Sequence, residues 1–292
     1  ASRYLAFVSH AFHPAYGRFR NFLTYARTWG EARGSEESHG RALWALGTVV
    51  GRAGDPGRRS LSGDLFHSAL PALTHLSSPR AWAYALLGID EYLRAFQGDS
   101  SVQAMRELLT ARLQDLYQRS SGADWPWFED TVTYCNARLP QALIVSGSAM
   151  ARPDLVAIGT KALDWLGQLQ HTPDGYFAPV GSNGFYRRGT APARFDQQPV
   201  EACGMVSACL DAHRITRDGR WSRYASSAFS WFLGQNHLQQ TVYDASTGGC
   251  RDGLHADRVN ENQGAEYEMF VVDQLPSDVE DGLNALYATM PQ

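Results

Sequence analysis

The chain has 292 residues, of which 44% are hydrophobic and 19% charged, so it is long and apolar enough to bury the core of a folded enzyme. Its formal net charge of −4 provides no basic surface for a phosphate backbone, which excludes electrostatically driven nucleic-acid binding. No apolar run approaches the ~20 residues that span a bilayer, and no signal-peptide pattern follows Ala1. We therefore expect no membrane partner and a cytoplasmic location, unless a preceding segment has been removed.

Apolar residues recur at helical spacing almost throughout the chain, whereas alternating strand-like runs are scarce, and this predicts an all-α fold. Short polar breaks, such as residues 77–79 and 97–100, are typical of turns between antiparallel helices. We predict a single domain, residues 1–292, built as a closed (α/α)6-type barrel of helix hairpins, with an open solenoid as the alternative. The predicted helices are residues 2–12, 38–53, 60–76, 79–97, 101–120, 134–149, 153–170, 197–216, 219–235, 262–275 and 278–289.

Four longer connections, residues 13–37, 121–133, 171–196 and 236–261, are rich in Gly, Pro, Trp, Tyr, Asn and Asp. Loops of this length in a compact domain are usually functional or disordered, and their aromatic content argues against disorder. We expect the four loops to lie on one face of the ring and to form a cleft there.

The first polar segment, residues 34–41, places Glu36 and Glu37 at the start of a predicted helix. One acidic residue would suffice to interact with the helix dipole, so the second is a candidate for catalysis. His39 and Arg41 follow and would orient a carboxylate or bind a hydroxyl. The alternative is that the acids only cap the helix and that His39 belongs to the core.

The second segment, residues 124–134, joins Trp125 and Trp127 to the acids Glu129 and Asp130. Bulky aromatic rings in a loop favour a platform beneath sugar rings, while the acids would supply protons. The alternative is that the tryptophans close one end of the ring as core residues. Further binding candidates follow on the next predicted helix: Tyr134, Asn136 and Arg138.

The third segment, residues 194–201, has Asp196 at the position of a helix N-cap and Pro199 in the first turn. Glu201 lies one turn later among small residues, so we expect its side chain to point into a central cavity. A buried, unpaired glutamate would have a raised pKa, which suits a general acid.

The fourth segment, residues 244–266, combines glycine turns with a dense set of polar side chains suited to sugar hydroxyls. Its candidates are Asp252, His255, Asn262, Gln263 and Glu266. No spacing typical of a metal site occurs here, and we expect neither metal nor cofactor. The four cysteines are far apart, with no Cys-x-x-Cys pair, so we expect them to be reduced.

Several of these stretches resemble the helical-toroid domain that is found alone or behind a retaining-type glycosyltransferase domain in many bacterial proteins. The resemblance covers nearly the whole chain and is carried by Gly17–Phe22, Gly34–Gly47, Trp125–Asp130, Asn136–Pro140, Phe195–Ala202 and Gly248–His255. It implies an (α/α)6-type toroid similar to those of glycoside hydrolases and sugar epimerases, with a glycosyltransferase as a partner domain or protein.

Two positions depart from that family pattern. Ala26 stands where the resemblance implies an aspartate between Tyr25 and Arg27, and Cys135 stands where it implies another beside Asn136. The missing acid at position 26 implies that the chain binds its sugar but turns it over slowly. A divergent member and a deliberate substitution both remain open.

We interpret the chain as a glycoside hydrolase that acts on an oligo- or polysaccharide, with an inverting mechanism favoured by analogy with other helical-toroid hydrolases. Catalytic candidates are Glu37, Glu129, Asp130, Asp196, Glu201, Asp252 and Glu266. Substrate-binding candidates are Arg20, Tyr25, His39, Arg41, Trp125, Trp127, Tyr134, Asn136, Arg138, Gln197, Gln198, His255, Asn262 and Gln263. The alternatives are a sugar epimerase or isomerase that uses His39 and His255, a carbohydrate-binding module beside a glycosyltransferase, and a scaffold solenoid.

Overall fold

The structure is a computed structural model that describes residues 2–264, and within this range it is mostly helical. The α-helices are α1 Ser2–Ala11, α2 Glu36–Arg52, α3 Pro56–Ala69, α4 Pro79–Ala95, α5 Ser100–Ser120, α6 Arg138–Ala149, α7 Pro153–Leu169, α8 Pro199–Thr216 and α9 Arg220–Ser230. A 3₁₀ helix, Leu70–His75, follows α3. The strands are β1 Phe12–His13, β2 Arg18–Phe19, β3 Thr131–Val132, β4 Tyr186–Arg187, β5 Tyr243–Asp244, β6 Gly249–Cys250, β7 Gly253–Leu254 and β8 Val259–Asn260.

The prediction of a helical chain is confirmed, with differences at helix ends that have local causes. The predicted helix 60–76 is α3 followed by the 3₁₀ helix, because Pro71 has no N–H to continue α-helical hydrogen bonding. α6 begins four residues later than predicted, since Cys135 has a left-handed φ of 49°. Residues 262–264 are not helical, and the rest of the last two predicted helices lies outside the described residues.

The eight short strands were not predicted from the sequence. They pair antiparallel as β1–β2, β3–β4, β5–β6 and β7–β8, each over two residues. Strands of this length are too short to produce an alternating apolar pattern. All lie in or directly beside the four long connections, so backbone pairing gives those loops a defined shape.

The chain divides into two compact units. Unit 1 comprises residues 1–116 and 145–155, and unit 2 comprises residues 117–144 and 156–292. Each boundary falls inside a helix, α5, α6 or α7. The expected single domain stays a prediction.

In unit 1, α2 and α4 approach each other closely through glycines. A Cβ atom on Gly40 would lie 2.6 Å from the carbonyl oxygen of Ala81, and one on Gly88 would lie 2.6 Å from that of Leu43. Glu36, at the start of α2, accepts hydrogen bonds from the backbone N–H groups of Ser77 (2.7 Å) and Ser78 (2.6 Å) before α4. Glu36 thus links α2 to α4, which goes beyond a capping role for α2 alone.

We expect Gly88→Ala to destabilise the protein by about 1–3 kcal/mol, because the added methyl group must displace the backbone of α2. Gly63→Ala on α3 is the matched control: its nearest neighbour would be Val50 Cγ2 at 4.0 Å, so removing a helical glycine should stabilise by about 0.5–1 kcal/mol. Urea unfolding of the three proteins measures both changes. Equal stability of the two variants would contradict this account of helix packing.

Candidate active site

Unit 2 brings three of the four polar segments together. The backbone N–H of Gln197 donates to the carbonyl of Leu254 at 2.9 Å, and the N–H of Leu254 donates back to Gln197 at 2.9 Å. This bridge fixes the β7–β8 hairpin against the start of α8. Glu201 in turn binds the backbone of Cys135 and Asn136 before α6. The segment 34–41 belongs to unit 1, and its expected place in a shared cleft stays a prediction.

Asp196 and His255 form the most chemically competent pair of the site. Asp196 Oδ1 lies 2.5 Å from His255 Nδ1, and the side chains are 37% and 34% exposed. Asp196 has a φ of 55°, a left-handed conformation that Asp adopts more readily than most residues. Its carbonyl oxygen accepts hydrogen bonds from the backbone N–H and hydroxyl of Ser182 at 3.0 and 3.1 Å. The Asp196 backbone is therefore fixed by the loop that contains Ser182, while its carboxylate remains accessible to a ligand.

The predicted N-cap role of Asp196 is wrong. α8 begins at Pro199, two residues later than predicted, and its N-cap is Gln198, whose side chain makes no capping hydrogen bond. Asp196 lies two residues before this cap and uses its carboxylate on His255 instead. Asp196, a residue type that commonly caps helices, therefore forms an acid–base pair with His255 instead.

His237 supports this pair and was missed by the sequence analysis. Its Nε2 lies 2.9 Å from the carbonyl oxygen of His255, and its ring packs edge-on against Phe195 at 5.6 Å. It therefore contacts one member of the pair and the neighbour of the other. No sequence signal identified it, because it lies 18 residues before His255 outside any recognisable motif.

Two atoms of the pair remain available for a ligand. Within residues 2–264, neither Asp196 Oδ2 nor His255 Nε2 has a hydrogen-bond partner. A carboxylate-bound imidazole can accept a proton at its second nitrogen, and the second carboxylate oxygen can accept one from water or a hydroxyl. The arrangement is chemically suited to proton transfer.

Glu201 is not the unpaired acid that the sequence analysis expected. It is buried, and its carboxylate accepts hydrogen bonds from the Cys135 N–H, from the Asn136 N–H at 3.4 Å and from Asn136 Nδ2 at 2.7 Å. The left-handed φ of Cys135 helps to turn two successive N–H groups towards this anion. The prediction of a general acid here is wrong, because the carboxylate is occupied in holding the turn before α6.

Three predicted substrate-binding residues are buried and occupied by protein partners. Asn136 is fully buried and bonded to Glu201 and Thr133. Arg138 donates to Gln141 at 2.7 Å, while Gln197 accepts from Trp231 Nε1 at 2.8 Å and donates to the Arg194 carbonyl at 3.0 Å. The structure contradicts direct sugar binding by these residues, and their polar groups instead secure the start of α6 and α8.

The tryptophans of the second segment are core residues, so the prediction of exposed sugar platforms is wrong. Trp125 is 3% exposed and Trp127 is fully buried. Both rings pack against Trp165, with centroids 5.0 and 5.5 Å away, and Trp125 Nε1 donates to the Glu129 carbonyl at 2.8 Å. These bulky side chains pack in the core of unit 2 beneath the loop and do not form an exposed platform.

The remaining candidates in unit 2 are exposed or partly exposed and stay predictions. Asp130 is exposed, and Glu129 is partly exposed. Asp252 Oδ1 accepts a hydrogen bond from the Gly264 N–H at 2.7 Å, and Gln263 Nε2 donates to Asp244 at 3.1 Å. Tyr134, Gln198 and Asn262 have at least partly exposed side chains, and Glu266 lies outside the described residues.

In unit 1, His39 is a core histidine, which makes its predicted role in substrate binding wrong. It is fully buried, packs against Phe19 and has Nε2 3.2 Å from the Ala69 carbonyl. Burial, together with the charge of Arg18, lowers the pKa of His39 to about 4. The imidazole is therefore neutral at physiological pH and out of reach of a ligand.

Other unit 1 candidates lie at the surface. Glu37 and Arg41 form an ion pair at 3.9 Å across one helical turn, and Arg41 donates to the Tyr84 hydroxyl at 3.2 Å. Arg20 donates to the carbonyls of Ala11 and His10 and lies 4.4 Å above the ring of Trp29, so it stabilises the loop. Tyr25 and Ala26 are exposed in a turn, and slow turnover caused by Ala26 stays a prediction.

Within residues 2–264, no group of three or more His, Cys, Asp or Glu side chains could hold a metal ion. All four cysteines lie within this range, and none is part of a disulfide bond. None of the described helices is both long enough and apolar enough to cross a bilayer.

We expect Trp127→Ala to lower the free energy of unfolding by about 3–5 kcal/mol, because it leaves a large cavity against Phe128 and Trp165. Trp127→Phe is the control and should cost much less. Thermal unfolding followed by circular dichroism gives the comparison. A variant with unchanged stability and weakened sugar binding would restore the platform interpretation.

Because the pKa of His39 is about 4 in the folded chain and returns to its ordinary value of 6.5 in the unfolded chain, acid should destabilise the protein. Between these pH values the unfolded state binds a proton that the folded state does not, so the free energy of unfolding falls as pH falls. His39→Phe should remove about 2–3 kcal/mol of the stability difference between about pH 7.5 and about pH 4.5. Urea unfolding of both proteins at both pH values measures it, and identical pH dependence would refute the buried, neutral imidazole.

No protein-family model matches the sequence, and no curated protein matches it closely. The fold is similar to that of an unsaturated glucuronyl hydrolase specific for heparin, with a TM-score of 0.61 and 13% identity over 82% of this chain and 66% of that one, just under two thirds. It is also similar to an inactive variant of an α-1,6-mannanase from Salegentibacter sp. HEL1_6 in complex with α-1,6-mannotetrose, with a TM-score of 0.62 and 13% identity over 97% and 83% of the two chains.

A D-mannose isomerase is similar to the same degree, with a TM-score of 0.62 and 13% identity over 98% of this chain and 79% of that one. At such low identity these likenesses establish the fold and not the activity. The chain has the all-α, (α/α)-toroid fold of these proteins, as the helical spacing predicted.

Proposed function

We propose that the chain is a carbohydrate-active enzyme that hydrolyses a glycosidic bond by acid–base catalysis centred on Asp196. The observation that carries this proposal is the pairing of Asp196 with His255 at 2.5 Å, which leaves one carboxylate oxygen without a partner among residues 2–264. Both side chains are about one third exposed, so a ligand can reach them.

Glycoside hydrolysis requires one group that protonates the leaving oxygen and a carboxylate that activates water or attacks the sugar. In the proposed mechanism Asp196 Oδ2 accepts a proton from the attacking water, while His255 holds Oδ1 and thereby orients the carboxylate. His255 Nε2 hydrogen-bonds a hydroxyl of the substrate. The protonated acid is one of the accessible carboxyl groups of unit 2, Glu129, Asp130 or Asp252, and inversion of the anomeric centre is the expected outcome.

The substrate class follows from the charge of the chain and from its fold. A net charge of −4 offers no general attraction for polyanions, which favours a neutral oligosaccharide. Hydrolases of two different glycans occur among the proteins with this fold, which supports the proposal by analogy. The resemblance to glycosyltransferase-linked domains suggests that a glycosyltransferase is the partner.

A second candidate is a sugar isomerase or epimerase, favoured by the Nε2 of His255, which has no hydrogen-bond partner in the described part of the chain, and by the likeness to a D-mannose isomerase. In that reaction Asp196 and His255 exchange the roles of base and orienting group. His255 would abstract the proton next to the carbonyl of an open-chain sugar, and Asp196 would orient the imidazole. The hypothesis that His39 and His255 act together as acid and base does not hold for His39, because that side chain is buried.

Asp196→Asn and His255→Gln distinguish the two reactions. If the chain is a hydrolase, Asp196→Asn should lower kcat for oligosaccharide cleavage by about 10²–10⁴-fold, the usual contribution of an acid–base group, whereas His255→Gln should have a smaller effect. Cleavage of α-1,6-mannotriose and of a panel of neutral oligosaccharides, followed by chromatography of the products, is the measurement. Asp257→Asn is the matched control, because this 74% exposed aspartate lies on the same hairpin and, within residues 2–264, pairs with its neighbour Arg258 alone.

Three other results would each overturn the hydrolase proposal. Conversion of D-mannose without cleavage, with His255→Gln as the more damaging change, would establish the isomerase. Saccharide binding with no turnover by any of the proteins would indicate a carbohydrate-binding module. Cleavage that is equally fast in the unaltered chain and in Asp196→Asn would place the catalytic carboxylates elsewhere.

A further inference from the structure

Unit 1 contains a surface groove of about 360 Å³ that none of the predicted site residues lines. It runs between one face of α3 and the end of α4. This volume lies within the range of small-molecule sites in proteins. The side chains that give it its chemistry are Arg59, Ser60, Asp64, His67, Tyr92 and Phe96.

The apolar part of the groove is aromatic. The Tyr92 ring is stacked on Phe66 at 4.6 Å with an interplanar angle of 12°, and it contacts Phe96 at 5.3 Å. Phe96 is 45% exposed although it anchors the end of α4. A fixed, exposed aromatic ring with polar groups beside it can pack against the apolar face of a small polar molecule.

His67 is held at the groove by a chain of hydrogen bonds. Its Nε2 lies 2.7 Å from the Tyr92 hydroxyl, which donates to Asp99 Oδ2 at 3.1 Å. Burial and the hydrogen bond to Asp99 raise the pKa of Tyr92 to about 12, so the phenol keeps its proton and occupies the carboxylate. His67 Nε2 also lies 3.1 Å from Asp99 Oδ2, and Nδ1, which has no partner within residues 2–264, is left available to a ligand on a 45% exposed side chain.

The polar groups on α3 carry no excess of one charge. Arg59, Ser60, Asp64 and His67 recur at helical spacing on the face of α3 that lines the groove. One cation, one anion, a hydroxyl and an imidazole offer both donors and acceptors. Arg59 is the one arginine or lysine among the described lining residues, so these residues form no cluster of cations for a phosphate. Arg59 also donates to the Ala53 carbonyl at 2.7 Å. The groove is therefore matched to a neutral ligand that has several hydroxyl groups and an apolar face.

We propose that this groove is a saccharide-binding site that uses none of the residues of the candidate active site. A pyranose ring lies against Phe96, and its hydroxyl groups form hydrogen bonds with Asp64 and with Nδ1 of His67. The proposal does not depend on hydrolysis by Asp196, because none of its contacts involves a catalytic step.

Protection of His67 from diethyl pyrocarbonate, mapped by peptide mass spectrometry, tests the site. Methyl α-D-mannopyranoside and methyl α-D-glucopyranoside are the probes, inorganic phosphate is the anionic comparison, and exposed His75 is the internal control. We expect at least one sugar to slow the labelling of His67 and not of His75, in the unaltered chain and in Asp196→Asn. Protection by phosphate alone, or no protection by either sugar at the highest soluble concentration, would overturn the proposal.

Phe96→Ala should raise the Kd derived from this protection roughly tenfold, equivalent to about 1.4 kcal/mol. Leu61→Ala is the matched control, since Leu61 is a 41% exposed apolar residue of α3 that does not line the groove. Asp64→Asn provides a second variant if Phe96→Ala fails to fold, and it should also weaken protection. Unchanged protection in the folded variants would contradict the site.

Discussion

The candidate active site depends on the pair of backbone hydrogen bonds between Gln197 and Leu254. Two residues far apart in sequence are locked in register, which places Asp196, one residue before the bridge, beside His255, one residue after it. Gly253 has a φ of 140° and lies so close to the Gln197 carbonyl that a Cβ atom would not fit. A glycine that permits the close approach of two backbones is therefore a condition for the acid–base pair.

A second layer of buried polar groups supports this bridge. The Gln197 side chain is fixed by Trp231, and Glu201, one turn further along α8, holds the turn before α6. Buried amides and carboxylates are stable only when their hydrogen bonds are satisfied, so these residues cannot also be free to bind a sugar. The polar residues of unit 2 thus divide into an occupied, buried set and an exposed set headed by Asp196 and His255.

The helices were predictable because the apolar spacing that defines them is local. α4, α5 and α7 were located to within two residues at either end, and their bounds depend on prolines and polar breaks that the sequence displays. The short strands were not predictable, since each has only two residues and cannot show an alternating pattern. In addition, β3 pairs with β4 from a distant loop, and such pairing leaves no periodic signal in the sequence.

The polar segments were found from the sequence, but the role of individual side chains was not. Trp127 and His39 have the composition of a sugar site, yet both are fully buried, because burial is set by partners such as Trp165 and Phe19 that come from other parts of the chain. His255 and Asp196 were both named as candidates, although their pairing was not foreseen. Residue types indicated the chemistry, and only tertiary contacts distinguish a ligand-binding group from a structural one.

We expect saccharides to bind at the outward-facing atoms of Asp196 and His255. NMR spectra of the histidine side chains of ¹⁵N-labelled protein, with the His255 signal assigned by its loss in His255→Gln, test it directly. On addition of neutral oligosaccharides, we expect the Nε2 resonance of His255 to shift in a saturable manner. A His255 signal that stays unchanged while the protein demonstrably cleaves or isomerises a saccharide would contradict a catalytic site at this pair.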